Sequence, residues 1–158
     1  MDKIAEQAMT DEGWLRCVAD LLQQDEVMQM QRYRHHGSVS CLEHCIHVSY
    51  ACYNRLKKNE AHAYTAARIG LLHDLFLYQR EALPTRRQRW LHVFTHGKVA
   101  ARNASELVDL SKKEWRAIAR HMFPLTLVPS ISREGLWLSY YDKVYGVREM
   151  MRMHRKER

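Results

Sequence analysis

The chain has 158 residues, about the length of one domain. Hydrophobic residues make up 46%, and only 6 Gly and 3 Pro are present, which excludes collagenous, low-complexity and wholly disordered chains and favours helices over a turn-rich β-sandwich. The formal net charge is +7. We therefore expect one all-α domain over residues 1–158, a compact bundle of about six helices.

The N-terminus and the cysteines bear on the cellular compartment. Residues 1–9 mix acidic and basic side chains and have no apolar run, so no secretory signal is expected. The longest apolar stretch, residues 69–77, is far short of the roughly 20 residues that span a bilayer. The 4 cysteines are expected to be reduced thiols. These features predict a cytoplasmic protein with no membrane partner.

The excess positive charge lies in two segments, one from Lys143 to the C-terminus and one from Arg80 to Arg89. A nucleic-acid binder usually spreads its basic residues along a face that follows the phosphates. Here they form a terminal tail and a short loop, which favours a small anionic ligand. Contact between the tail and nucleic acid is the alternative.

The first half of the chain is predicted to form three helices. The first covers about residues 11–32, with apolar side chains at helical spacing. Residues 34–40 are expected to be a loop, and helices follow over about 42–57 and 60–73. The irregular, arginine-rich pattern of residues 75–95 predicts an excursion over the surface.

Three further helices are predicted in the second half. The fourth covers about residues 97–108, and the fifth begins after Ser111, where the S-x-x-E pattern of residues 111–114 is typical of a capping box. Pro124 is expected to end that helix soon after His121. Ser132 can cap the last helix, from Arg133 to about residue 153. Its apolar stripe consists of Leu136, Tyr140, Val144 and Val147.

The sequence contains 10 histidines, and several are expected among apolar residues. The fourth helix is expected to open at His96 and the fifth to close at His121. Buried imidazole and carboxylate groups are unfavourable by several kcal/mol unless they are paired or metal-bound. One divalent-cation site would satisfy the whole set: His44, His73, Asp74, His96, His121 and Asp142. Imidazole with carboxylate and no thiolate favours Mn²⁺, Fe²⁺, Co²⁺, Ni²⁺ or Zn²⁺ over Mg²⁺ or Ca²⁺.

The order of these residues, a histidine, an adjacent His-Asp pair, two further histidines and a distant aspartate, resembles the HD-domain metal-dependent phosphohydrolases of the two-metal type. The resemblance covers about residues 34–147, the expected domain core, with a basic tail over 148–158. It implies one ion held by His44, His73, Asp74 and Asp142. It also implies that Asp74 bridges to a second ion, whose other ligands are His96 and His121.

The implied activity is hydrolysis of a phosphate ester or anhydride of a nucleotide or small phosphorylated metabolite by a metal-activated water. Asp74 and Asp142 are expected to orient that water or accept its proton, and Lys143 to neutralise charge on the phosphoryl group. The alternative is a non-catalytic HD module that keeps its metal and binds a nucleotide or a protein partner.

The anionic substrate needs further contacts. Candidate contacts besides Lys143 are Arg80, at the start of the basic loop, and Lys98, two residues into the helix that His96 is expected to open. His35 and His36 are expected near the mouth of the site. For each of these side chains the competing interpretation is a solvated surface charge. Three methionines near the C-terminus are an alternative candidate for a homo-oligomer face: Met150, Met151 and Met153.

The sequence leaves two rival ligand assignments open. His47 lies one turn beyond His44 on the same helix, and only the resemblance favours His44 as the ligand. A structural zinc site built on Cys41, Cys45 and one of these histidines is also conceivable. Such a site normally needs four ligands, and no second Cys or His pair with suitable spacing is evident.

Overall fold

The computed structural model describes residues 2–36, 39–79 and 82–156, with side chains for all of these except 36 and 153–156. Within them the chain forms eight α-helices, a 3₁₀ turn and one short two-stranded antiparallel sheet. The all-α prediction is confirmed, and there are more helices than the six or so expected.

The elements follow one another along the chain, with the longest connections after residue 72 and after residue 119. The helices are α1 (Lys3–Ala8), α2 (Glu12–Leu22), α3 (Asp25–Gln29), α4 (Cys41–Leu56), α5 (Glu60–Leu72), α6 (Arg86–Leu107), α7 (Lys112–Ala119) and α8 (Arg133–Lys156). The 3₁₀ turn is Met30–Arg32, and the strands are β1 (Arg34–His36) and β2 (Val39–Ser40). The sheet occupies the segment for which the sequence predicted a loop.

The predicted single helix over residues 11–32 is wrong, because the structure divides it into α2, α3 and the 3₁₀ turn. Gln24 is extended between α2 and α3, with φ −79° and ψ 130°. This break redirects the chain, so that both Val27 and Met30 are fully buried in the core. Helix α1 was not predicted. It begins after Asp2, whose side chain accepts hydrogen bonds from the Ile4 and Ala5 amides.

Side-chain caps explain where the predicted helices begin. The hydroxyl of Ser40 accepts from the Glu43 amide at the start of α4, and Asn59 does the same for His62 in α5. The capping box at Ser111 is present as predicted at the start of α7. These helices therefore begin within about two residues of their predicted positions.

Helix α6 is the main departure from the sequence prediction, since it begins at Arg86 and not near Gly97. Thr85 and Gln88 form a capping box at its start. His96 consequently lies in the middle of a 22-residue helix and does not open one. The expectation that Lys98 sits near a helix N-terminus with free amides is wrong for the same reason.

The predicted apolar stripe of α8 does not face the core. Leu136, Tyr140 and Val147 are 49%, 55% and 50% exposed, whereas Leu138 and Asp142 of the same helix are buried. The inward face of α8 carries polar ligand groups together with Leu138, so the stripe is left on the outside.

The core is built around the antiparallel pair α4 and α5, with α2 packed on one side and α8 on the other. A Cβ on Gly70 of α5 would lie 2.6 Å from the Cα of Ser49 in α4, so the two backbones approach as closely as glycine permits. Trp14 of α2 is fully buried and donates its indole N–H to Ser49. Among the described residues, no helix combines the length and apolar character needed to cross a bilayer.

Candidate metal centre

The six predicted ligand side chains lie together, although they come from five separate stretches of chain. His44 is on α4, His73 and Asp74 close α5, His96 is on α6, His121 follows α7 and Asp142 is on α8. Each is at most 6% exposed. The fold therefore gathers imidazoles and carboxylates at one buried point between the helices.

The first group of ligand atoms surrounds Asp142. Its Oδ1 lies 3.3 Å from the Nε2 of His44 and 3.8 Å from the Nε2 of His73. The same nitrogen of His73 is 3.7 Å from Oδ2 of Asp74. His44, His73 and Asp142 each offer one metal-ligating atom, and these three atoms lie close enough together to bind a single cation.

The second group surrounds the other oxygen of Asp74. Oδ1 of Asp74 is 3.3 Å from the Nε2 of His96 and 3.5 Å from the Nε2 of His121, and these two nitrogens are 3.0 Å apart. Asp74 thus directs Oδ2 to the first group and Oδ1 to the second. This is the arrangement that a bridging carboxylate requires.

The histidine tautomers can be inferred from backbone contacts. The Nδ1 atoms of His73, His96 and His121 each lie 2.8 Å from a backbone carbonyl oxygen, to which an Nδ1–H donates. In the neutral rings the Nε2 atoms therefore present lone pairs to one another and to the carboxylates. Nε2 of His73 and Oδ1 of Asp74 are buried without a hydrogen-bond partner among the described residues. Buried nitrogen and oxygen atoms that converge without hydrogen-bond partners fit a bound cation.

The electrostatics of the cluster suit the same role. Burial lowers the pKa of His121 to about 3, and the neighbouring His96 and His73 add to that effect. Burial alone would raise the pKa of Asp74 and of Asp142, but the surrounding imidazoles hold both well below their ordinary value. At neutral pH the two carboxylates are thus ionised and His121 is neutral, as metal ligands must be.

Glu149 is a further member of the buried cluster, and the sequence analysis missed it. It is 2% exposed on α8, and its carboxylate accepts from the Nδ1 of His44 at 2.9 Å and of His35 at 3.0 Å. Burial alone would raise the pKa of Glu149, but these bonds and one from His47 lower it. Because Nδ1 of His44 donates to Glu149, Nε2 of His44 is left to face Asp142.

His35 was expected near the mouth of the site, and the structure places it in direct contact with the candidate ligands. Its ring stacks on His44 with centroids 3.7 Å apart, and its Nε2 is 3.2 Å from Oδ2 of Asp74.

Glu149 follows Asp142 by seven residues, two helical turns along the same face of α8. The seven-residue spacing from Asp142 was the sequence signal for Glu149, but the basic residues of the C-terminal tail obscured it.

The structure separates the rival ligand assignments. Nε2 of His47 lies 2.8 Å from Asp2, whereas Nε2 of His44 lies 3.3 Å from Asp142, so His44 and not His47 belongs to the group around Asp142. Cys41 donates to the backbone carbonyl of Asp74, and all 4 cysteines are free and buried. In the described part of the chain, no cysteine belongs to a group of three converging ligands.

The centre opens into a cavity of about 330 Å³ whose walls include Lys143, Arg34 and His35. The ammonium of Lys143 donates to Asp142 at 2.7 Å and to the His121 carbonyl at 2.9 Å. Lys98 is exposed on α6 and is not among the described residues lining the cavity. Two predicted substrate contacts, Arg80 and the side chain of His36, lie outside the described residues.

A scan against models of known protein families found no match, and searches of curated proteins and of solved structures found none either. The function of this chain is therefore inferred from its own residues and their geometry.

Proposed function

We propose that this protein is a metal-dependent phosphohydrolase that acts on a phosphate ester or anhydride of a nucleotide or other small phosphorylated molecule. The supporting observation is the convergence of buried lone pairs with the two oxygens of Asp74 divided between two ligand groups. The first ion would be held by His44, His73, Asp74 and Asp142. The second would be held by Asp74, His96 and His121. The order of these ligands along the chain, which resembles that of the HD-domain phosphohydrolases, supports the same proposal.

The donor set narrows the choice of metal. Imidazole nitrogens outnumber carboxylates and no thiolate is present, which favours Mn²⁺, Fe²⁺, Co²⁺, Ni²⁺ or Zn²⁺. A pair of such ions supplies Lewis acidity, which lowers the pKa of a water molecule and neutralises charge on a phosphoryl oxygen. No side-chain nucleophile is then required.

The chain itself binds the substrate and handles the proton. Lys143, fixed by Asp142 and the His121 carbonyl, holds a positive charge at the cavity wall, where it favours a phosphate group. Arg34 adds a second cation to the walls. Asp142 and Asp74 are the ionised carboxylates among the described residues that line the cavity, and either can accept a proton from water. The cavity volume suits a small substrate.

Metal analysis and a phosphatase assay test this proposal. Purified protein is analysed for bound metal, loaded with Mn²⁺, Co²⁺ or Ni²⁺, and offered p-nitrophenyl phosphate and a panel of nucleotides. We expect turnover that depends on the metal and stops on chelation. Asp74→Ala should lose both metal and turnover, whereas Lys143→Ala should keep its metal and lose about tenfold or more in kcat/KM. Asp20→Ala, at an exposed carboxylate on α2, is the matched control.

The outcomes separate the hydrolase from its alternative. Persistent inactivity with metal bound would favour a non-catalytic module that binds a nucleotide or a protein partner. Full metal content and full rate in Asp74→Ala would contradict the bridging role assigned to this residue.

A further inference from the structure

A second cavity adjoins the candidate metal centre. It is a groove of about 620 Å³ between the segment after α7 and the outer face of α8. Lys143 and Val147 line both this groove and the cavity at the metal ligands. A molecule held at the ligand cluster can therefore extend past Lys143 into the groove.

The groove is apolar along most of its length. Its walls include Phe123, Pro124, Leu136, Tyr140 and Val144, and only Lys143 and Arg148 are charged among the described residues that line it. Leu136 and Tyr140 belong to the α8 stripe that fails to reach the core and are about half exposed. Apolar surface of this extent beside a polar site is typical of a ligand-binding or interaction surface.

Two residues with uncharged hydroxyl groups, Ser139 and Tyr140, also line the groove. Ser139 lines the groove, is 6% exposed, and its hydroxyl is buried without a hydrogen-bond partner among the described residues. A buried hydroxyl that makes no bond is unfavourable by roughly 1–3 kcal/mol. Because this oxygen is buried beneath the groove surface, it adds no polar partner for a ligand in the groove.

The geometry points to a phosphorylated amphiphile as the substrate class: a phosphate ester whose head lies at the metal ligands and whose acyl or alkyl chain lies in the groove. The inference rests on the proposed function in that the phosphate is placed at the ligand cluster. A nucleobase presents several polar edge atoms, for which the groove offers few partners.

The charges around the groove argue against a second copy of this chain as the occupant. Lys143 and Arg148 border the groove, and a two-fold interface on this face would bring like charges together. The same cations favour a ligand with an anionic head.

Binding of non-hydrolysable phosphonates tests the inference without turnover. Methyl-, butyl- and octylphosphonate are titrated into the Mn²⁺-loaded protein by calorimetry. We expect affinity to rise about fourfold for each methylene that enters the groove. Leu136→Gln and Tyr140→Ser, both at half-exposed positions, should reduce the octyl-to-methyl affinity ratio roughly fivefold or more. Leu127→Gln, at a 94% exposed position outside the groove, should leave that ratio unchanged.

The result is read together with the hydrolysis of the matching alkyl phosphates. If octylphosphonate binds more tightly but no phosphate ester is hydrolysed, the groove assignment holds and the hydrolase proposal fails. If esters are hydrolysed at rates independent of chain length and the phosphonates bind equally, the groove assignment is overturned and the hydrolase proposal holds. A dimer in sedimentation that Leu136→Gln converts to monomer would also overturn it, since the groove would then hold a second copy.

Discussion

At the scale of single residues, the centre depends on groups that aim the ligands as well as on the ligands themselves. Glu149 accepts hydrogen bonds from His44 and His35, and His35 in turn lies against Asp74. Partners of this kind fix the tautomer and the direction of an imidazole ligand. Glu149 is therefore a positioning residue, and its effect should appear in metal affinity before it appears in folding.

Replacing Glu149 tests that role. Glu149→Gln keeps the size of the side chain but removes the charge, so Nδ1–H of His44 loses a strong acceptor. We expect metal affinity to fall by about 10- to 100-fold with little change in helix content. Competition against a metallochromic chelator measures the affinity, and circular dichroism monitors the fold. Glu106→Gln, at an exposed position on α6, is the control. Unchanged affinity in Glu149→Gln would mean that His44 needs no aligning partner.

At the scale of the elements, the second ligand group depends on the close crossing of α6 and α7. A Cβ on Gly97 would lie 3.1 Å from the carbonyl oxygens of Ile118 and Ala119 and 3.2 Å from Cε1 of His121. These contacts are tight, so a side chain at this position would force its neighbours to shift by a few tenths of an ångström. The approach is what places His96 beside His121.

Gly97→Ala should therefore weaken the second ion selectively. The added methyl group pushes α6 away from the end of α7 by a few tenths of an ångström, which lengthens the distance between His96 and His121. We expect the second ion to bind about tenfold more weakly while the first is retained. Metal content per chain, measured over a range of free metal concentrations, checks this. Lys98→Ala, at the adjacent exposed position, should keep both ions. Equal affinities for both ions in Gly97→Ala would contradict this account.

The elements also show how far the sequence could predict the site. The six candidate ligands could be identified from their order along the chain, which resembles that of the HD-domain phosphohydrolases, and the fold brings their side chains together. The start of α6 was not predicted because its first turns are rich in arginine. The T-x-x-Q pattern that begins at Thr85 was the sequence signal for this helix start. The exposure of the apolar stripe of α8 could not be predicted. It arises because Asp142 and Glu149 lie on the buried face of that helix. Which of His44 and His47 faces Asp142 depends on long-range contacts with Asp2 and Glu149.

At the scale of the whole molecule, side-chain contacts join the two ends of the described chain. Asp2 accepts from His47 at 2.8 Å and from Arg152 at 2.7 Å, which ties α1 to α4 and to the end of α8. Glu149 lies one turn before Arg152 on that helix. The contacts that join the two ends of the described chain therefore belong to the same network as the hydrogen bond that aligns His44. Any ligand bound at the centre should stabilise the entire fold.

Thermal unfolding with and without metal tests this coupling. In the absence of a cation, the buried lone pairs of His73, His96 and His121 face one another and the carboxylates, which is unfavourable for the folded state. A cation that binds only the folded chain stabilises it by about 2.7 kcal/mol at 100 times its Kd. For a domain of this size, that is about 5–10 °C in Tm. We expect Mn²⁺ or Zn²⁺ to raise Tm by this amount and a chelator to reverse it. Asp74→Ala should lose most of the shift and Asp20→Ala should keep it. Equal shifts in both variants would place the stabilising ion elsewhere on the molecule.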